Sequence, residues 1–567
     1  MRIAVVGCGP KGLAALVELE KALASPDVGS STGSSPSDVV VDVFEPFTMG
    51  SGAVWSTLVP VELLMNVSPS IVDFSCPSFP YSYVQWAQKL VNDADGSGSS
   101  DDASAGPGDG AALWDYPPRL YMGWYLQSVA HALTRSTVMT VNHVQGIVRA
   151  MEPSAHGWKL SVDAAPTSKS TGATETQVPG ILEYRHVLLA TGHRSPLRAS
   201  DYFDVRDPDV GPPPGSHVGM RGAALTAIDF ALTLTEGRGG KFHMLPRAPR
   251  GAPRYSYEPS GLEPASITFI SRSNVPMSPK PALVSPTLQH LIAEETKELL
   301  QHRSGAPVPN RQWWEGLIDA AWRVAEAMGY ALSREDLERT LFSPEFFTHT
   351  EQVLNRLTSH MAMNHGEEEP DAQWLWGRVW NCGYQNIIAS LNRAPRQQQH
   401  WDKFRTVAAT AERWAYGPPE ASVAKLVALT TSGRLRWEPA DSSENSRGVH
   451  RGAASDVGDN QTLMIDAVTQ GPGVCEKDKQ HVDENLWKGL LEIKAATVRA
   501  GERGVFTDDN CQCLSPEFTP TTGLYALGRP TEDAIIGNDT LNHTLHGDAA
   551  RWAQHIADTL RQHQEHP

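Results

Sequence analysis

Three glycines and one acidic side chain carry the first chemical statement in this chain. Gly7-Cys8-Gly9-Pro10-Lys11-Gly12 is a G-x-G-x-x-G run, and Glu45 closes an apolar stretch downstream of it. Gly7 permits a tight turn, Gly9 lets backbone reach a pyrophosphate, and Gly12 lets helix and strand pack closely. The phosphates would lie on a helix N-terminus, with Pro10 and Lys11 in its first turn, where free N–H groups and the dipole favour negative charge. The Glu45 carboxylate suits a ribose hydroxyl. This is the chemistry of holding a dinucleotide. The sequence shows neither a hydrolytic triad nor a metal cage beside it.

The motif means something only in context, and the context is present. Arg2-Ile3-Ala4-Val5-Val6 reads as a buried strand, and Leu13, Leu16, Leu19 and Leu23 recur at helical spacing after the glycines. Val39 to Glu45 supplies the second strand. Glu45 follows Gly12 by more than the usual twenty or so residues. The Gly/Ser/Pro-rich Ser25 to Asp38 accounts for the excess as an insertion. Without both strands and the acid, the glycines would be an ordinary turn.

Further candidates follow along the chain. Gly50-Ser51-Gly52-Ala53-Val54-Trp55 and Leu63 to Pro69 fit either backbone running beside a flat cofactor, with Asn66 and Ser68 offering hydrogen bonds, or a plain surface loop. Arg119, just before a helical segment from Met122 to Leu133, reads as a contact to phosphate or flavin, or as a surface ion pair. Tyr184 to His193 is another buried strand, and the small Ala190-Thr191-Gly192 at its end suits backbone passing beside a dinucleotide. A second strand-turn-helix begins at Val218, with Gly222-Ala223-Ala224-Leu225-Thr226-Ala227 as its turn. Ala224 stands there where glycine normally admits phosphate. Ile267 to Ile270 is the next strand. Arg272, in Ser271-Arg272-Ser273 at its end, is placed to receive a 2′-phosphate, which favours NADPH over NADH. His186, His193, His543 and His546 are candidates for a proton shuttle, although most histidines are only core or surface residues. Asn538 and Asp539 precede the last helix, where an N-cap role is an equal reading.

At 567 residues the chain is too long for one ordinary core. A net charge of −17 opposes nucleic-acid and anionic-membrane partners, since the long-range field repels polyanions. A strand starting at residue 2 leaves no room for a signal peptide, and no apolar run is long enough to span a bilayer. Six cysteines in a chain this long fit free thiols in a reducing compartment, and hence the cytoplasm. Cys511-Gln-Cys513 lacks C-x-x-C spacing and reads as a loop feature.

Between the motifs the texture changes. Val138 to Ala150 and Gly157 to Val162 read as strands of a small antiparallel unit. Asn92 to Gly110 has almost nothing apolar to bury and is expected to lack order. Leu288 to His302, Trp313 to Met328, Glu351 to Met363 and Trp376 to Asn392 have helical spacing. Nine of the sixteen tryptophans lie between Gln312 and Pro439, a density that favours helix-helix core over a substrate pocket. Ala440 to Asn460 reads as loose. Thr462 to Val468 and Gly523 to Pro530 restore strand character, and Thr540 to Arg561 closes the chain as a helix.

Taken as a set, the Gly7 to Gly12 motif, the Ala190-Thr191-Gly192 turn, the second motif and Tyr525-Ala526-Leu527-Gly528 resemble the two-dinucleotide flavoproteins. Leu234 to Gly240, Tyr257 to Pro264, Gly528 to Glu532 and Asp539 to Leu545 narrow the likeness to FAD/NAD(P)-binding proteins related to the class B flavin monooxygenases. The resemblance implies FAD held by Gly7, Gly9, Gly12 and Glu45, with Gly528 near the flavin and a nicotinamide partner at Gly222 to Asp229. Ala224 departs from the pattern and weakens the nicotinamide reading alone. The implied fold is α/β. A Rossmann-like FAD-binding domain (residues 1–215 and 431–567) would flank an NAD(P)-binding-like unit (216–285) and a helical insert or cap (286–430). The expected function is that of an FAD-dependent oxidoreductase, foremost an NADPH-dependent monooxygenase of a small molecule. The alternatives are an oxidase or dehydrogenase reduced by its own substrate, and a non-catalytic FAD-binding protein.

Overall fold

Arg2–Val6 is apolar along nearly its whole length because it becomes a central strand covered on both faces. In the computed structural model, the sheet around it runs in the order Gln512–Leu514, Pro520–Ala526, His186–Leu189, Arg2–Val6, Val40–Phe44, Thr140–Val144. All neighbours are parallel except the Gln512–Leu514 edge. The structure describes the chain outside residues 26–38, 97–109, 165–180, 193–198, 248–250, 273, 282, 304–305, 441–461, 470, 476–485, 539 and 566–567. The Ser25 to Asp38 insertion, most of Asn92 to Gly110, Ala440 to Asn460, His193 and Asp539 therefore lie wholly or largely outside the described residues.

The second motif sits on a second, wholly parallel sheet ordered Leu435–Pro439, Ser266–Ser271, His217–Arg221, Leu463–Asp466. Two of those strands come from the stretch that the sequence assigned to the C-terminal part of the first domain. Leu435–Pro439 pairs with Ser266–Ser271 and Leu463–Asp466 with His217–Arg221, so these two strands sit in the second sheet. The antiparallel unit is also redrawn. It consists of Gly146–Ser154, Gly157–Ala164 and Ile181–Tyr184, whereas Thr140–Val144 leaves it to pair parallel with Val40–Phe44.

Most helices between Pro286 and Ala415 share a core of their own, in which Trp313, Trp314, Trp374, Trp376, Trp380, Trp401 and Trp414 are buried, whereas Thr350–Asn364 and Glu420–Thr431 pack into the core of the sheets. Eight of the nine tryptophans between Gln312 and Pro439 are buried, as their density suggests, and Trp322 is half-buried. One expected helix is two: Ala372–Cys382 and Tyr384–Leu391 meet at Gly383, where a Cβ would stand 2.7 Å from the Val379 carbonyl oxygen. The last helix starts at Asp548, not Thr540. Gly547 at φ +65 turns the chain out of a helical path, and the Asn542 carboxamide captures the Thr544 N–H locally. The Tyr83–Gly96 helix carries order further into the polar stretch after Asn92 than its composition suggests. Among the described residues, no helix is long and apolar enough to cross a membrane.

Candidate functional site

The first turn shows which glycines the fold needs and which one it leaves open. Gly7 has φ +90, and a Cβ there would stand 2.4 Å from the Ala190 carbonyl oxygen. A Cβ on Gly12 would stand 2.1 Å from the carbonyl oxygen of Gly7. Both substitutions collide with backbone. At Gly9 a Cβ would meet nothing within 4 Å, and φ −74 suits any residue. Gly9 is the N-cap of the Pro10–Ala24 helix, no side chain caps it, and Pro10 fills the first helical position, where its missing N–H costs nothing. An uncapped helix N-terminus behind an open glycine is a cradle for a pyrophosphate, which makes the residues present fit a dinucleotide.

The surrounding pieces converge on the same end of the sheet. Glu45 is buried, and its two oxygens accept the backbone N–H groups of Cys8 at 2.7 Å and Phe47 at 3.0 Å. Burial pushes its pKa up while those two bonds oppose the shift. One bond per oxygen leaves lone pairs for a ribose hydroxyl. Gly50 donates to the Cys8 carbonyl at 2.7 Å, and a Cβ on Gly52 would lie 3.1 Å from the Gly9 Cα. The glycines of this loop therefore let it press against the first turn. Ala190 donates to the Val6 carbonyl, Thr191 Oγ1 accepts from the Trp487 indole at 3.2 Å, and Gly192, at φ +69, faces open space. Gly528, at φ +78, abuts the Lys11 side chain: a Cβ would stand 2.9 Å from its Cγ. His546 lies near Lys11 as well. Burial first, and then that ammonium, push it down to about 4, so it is neutral at ordinary pH.

Four of the sequence candidates have partners within the protein itself. Arg119 starts the Arg119–Leu133 helix, but its guanidinium pairs with Asp229 at 2.9 and 3.3 Å, with the Leu64 carbonyl at 3.5 Å as a further acceptor. Burial opposes its charge, but Asp229 and Tyr202 more than offset this and hold it strongly protonated. It ties the first domain to the helix of the second motif through Asp229. Asn66 faces the helical region, with its amide on the Tyr416 carbonyl at 3.4 Å and its own carbonyl taking the Lys280 ammonium at 2.9 Å. His186 points at the Tyr525 hydroxyl at 3.3 Å and lies within the core. His543 bonds Glu18 at 3.1 Å.

The second turn keeps its shape in spite of the alanine. Gly222 has φ +115, and Ala224 is the N-cap of Leu225–Thr235 with φ −111 and ψ −168. Gly9 has nearly the same ψ, −167, at the equivalent place. The φ angles differ, −111 against −74, so the two N-caps are both extended but not identical, and Ala224 carries a methyl where Gly9 has none. Arg272 is exposed at the end of Ser266–Ser271. Beside it stands a residue that the sequence reading missed. Arg413, from the Gln398–Ala415 helix, donates to the Ala223 carbonyl at 2.9 Å and the Val275 carbonyl at 2.6 Å. Burial first, and then Arg272, push its pKa down to about 10. Two cations share the mouth of this turn. No motif marks Arg413, because it lies mid-pattern in an amphipathic helix far along the chain.

The chain is similar to several known proteins. Residues 4–194 match a family model described as FAD-NAD(P)-binding. An L-aspartate N-monooxygenase (nitrosuccinate-forming) of Streptomyces cremeus is 28% identical over 301 residues, 49% of this chain and 42% of that protein. A nitrosuccinic acid synthase of Aspergillus oryzae is 30% identical over 300 residues, 48% of this chain and 40% of its own. The chain thus spans less than half the length of these curated relatives. Among solved structures, a reduced ornithine hydroxylase of Pseudomonas aeruginosa aligns over 99% of both chains at 13% identity, with a TM-score of 0.48.

Proposed function

We propose, from the premise that residues 4–194 form an FAD/NAD(P)-binding flavoprotein region, that this chain is an NADPH-dependent flavin monooxygenase acting on the nitrogen of a small amine. The observation that carries the reading is the open Gly9 cradle between Glu45, Ala190-Thr191-Gly192 and Gly528. Bound FAD would supply the redox chemistry, with NADPH as reductant and oxygen as oxidant. The chain's own residues do the positioning. Gly9 and the helix N-terminus behind it receive the pyrophosphate, and Glu45 takes a ribose hydroxyl. The loops at Gly50 to Gly52 and at Gly528 wall the cofactor against the sheet. Arg272, backed by Arg413, receives the nicotinamide cofactor's 2′-phosphate.

We assign the FAD-binding domain to residues 1–215 and 467–567, and the nicotinamide unit to 216–285 with 431–466. The helical region 286–430 closes over the junction and selects the substrate. The names of the similar proteins, which concern nitrogen oxidation, support nitrogen as the atom attacked. Six free cysteines support a reducing, cytoplasmic setting. The Ala224 methyl favours a second reading, in which the substrate itself reduces FAD. Anaerobic titration separates the two. NADPH should bleach the yellow holoprotein, and in air it should be consumed faster when an amine substrate is present. Bleaching by the amine alone, without NADPH, would establish the second reading, and bleaching by neither would sink both.

A further inference from the structure

The helical region holds a cavity of about 330 Å³ that is lined by neither dinucleotide turn, since its walls all come from the stretch between Pro281 and Arg378. That volume falls at the small end of ligand pockets, which run from about 300 to 1,000 Å³. Helix Ala372–Cys382 forms one wall with Trp374 and Arg378, which lie a turn apart on the same face. The Asn364 carboxamide oxygen accepts from the Trp374 indole at 2.7 Å and from Arg378 Nη2 at 3.1 Å. Its amide donates in turn to Glu420 at 2.8 Å and to the Pro279 carbonyl at 3.1 Å. This wall is therefore fixed before a ligand arrives. Tyr330 stands edge-on to Trp374 with ring centres 6.1 Å apart, and the buried Leu288 and Met363 add apolar surface.

The charged groups of the lining are sorted to opposite ends. Arg378 is 3% exposed, its guanidinium lies 5.1 Å from the centre of the Trp374 ring, and its Nε has no acceptor among the described residues. Glu368 and Glu369 are exposed and come just before Asp371, the N-cap of the same helix. Arg378 lies seven residues past that cap, about 10 Å along the helix axis. Glu368 accepts from the Ser359 hydroxyl. Burial first, and then the Glu369 charge, push the Tyr330 phenol up, which places that carboxylate beside the aromatic wall. Two carboxylates against one guanidinium leave a surplus negative charge, so the lining attracts a cation and opposes an organic anion.

We infer that this cavity binds an arylalkyl monoamine, with its ammonium at the mouth beside Glu369, its ring against Trp374 and Tyr330, and a neutral acceptor such as a phenol oxygen turned to Arg378. The acceptor gives the guanidinium a partner that the protein does not supply, and the ammonium answers the surplus carboxylate. The separation of the two ends suits a single ring carrying a short amine arm. The site is independent of the monooxygenase reading, because neither dinucleotide turn takes part in it and its test reads binding alone.

The test uses FAD-loaded protein and calorimetry, with tyramine as the probe. Tyramine should bind, and para-hydroxyphenylpropionate, which has nearly the same shape but a carboxylate for the ammonium, should not. Phenethylamine, which lacks the phenol oxygen, should bind about ten- to hundredfold more weakly, the value of one hydrogen bond to a charged group. Glu369→Gln changes an exposed residue and should weaken tyramine about two- to fivefold. In Arg378→Met the two amines should bind alike, because the phenol oxygen has lost its donor. Equal weakening of both amines by Arg378→Met would mean that the arginine only holds the wall, and would overturn the contact. Unchanged tyramine affinity in Glu369→Gln would overturn the placing of the ammonium. No binding of tyramine, or equal binding of the propionate, would overturn the site itself. Should Arg378→Met not fold, the wild-type comparisons and Glu369→Gln still decide.

Discussion

Gly9 offers a way to remove the cofactor and leave the fold. Its Cβ position is empty to 4 Å, and its backbone is in an extended conformation open to any residue. Gly9→Ala should therefore leave the apoprotein within about 1 kcal/mol of the parent, with a slight gain from a less flexible unfolded chain. The same methyl projects into the cradle at the helix N-terminus. Overpacking of this kind costs about 1–3 kcal/mol, so FAD should bind roughly 5- to 150-fold more weakly, and Gly9→Val should lose it outright. Gly12→Ala is the control, since its Cβ would stand 2.1 Å from the Gly7 carbonyl oxygen and should disrupt the fold itself. The assay pairs flavin absorbance per chain with thermal melting followed by circular dichroism on flavin-stripped samples. Gly9→Val that purifies fully yellow would refute the cradle. A stripped Gly9→Val that melts as early as stripped Gly12→Ala would refute the claim that the fold does not need this glycine.

Arg119→Met should cost about 3–5 kcal/mol by leaving Asp229 buried without its partner, and Arg119→Met with Asp229→Leu should recover much of it. Denaturation midpoints of the single and double variants check this, and equal values would show that the pair is uncoupled. NADPH should reduce the flavin about ten- to hundredfold more effectively than NADH. Arg272→Ala should erase that preference, and Ala224→Gly should tighten both nucleotides; stopped-flow reduction without any preference would remove Arg272 from the site. Glu18 sits between Lys21 and His543, whose bonds overcome the upward push of burial and hold it at about 2 against an ordinary 4.5. A carboxylate lowered on folding stabilises above its unfolded pKa and loses that contribution as pH falls, here by at most about 3 kcal/mol. The stability gap between the parent and Glu18→Gln should narrow from pH 5 to pH 3, and a constant gap would show that the contact contributes nothing.

Much of the first site was legible because its physics is local. A β-branched strand, three glycines at fixed spacing, an amphipathic helix and a second strand ending in Glu45 lie within one stretch of chain, so their periodicity and spacing define the unit. The tryptophan-rich helices were legible for the same reason, although the break at Gly383 and the start of the last helix at Asp548 depend on single backbone angles. Sheet membership was not local. Leu435–Pro439 and Leu463–Asp466 read as strands, but any strand satisfies its own periodicity, and only packing decides which edge it covers. Charge partnership is likewise tertiary. Nothing near Arg119 announces Asp229, more than a hundred residues away, and nothing near Ala223 announces Arg413. The sequence alone determined the strand-turn-helix proposed to hold a dinucleotide, since backbone conformation and helix dipoles act over a few residues. Tertiary structure decided which side chains face it and what else the junction could hold, since desolvation and ion pairing depend on neighbours far apart in the chain.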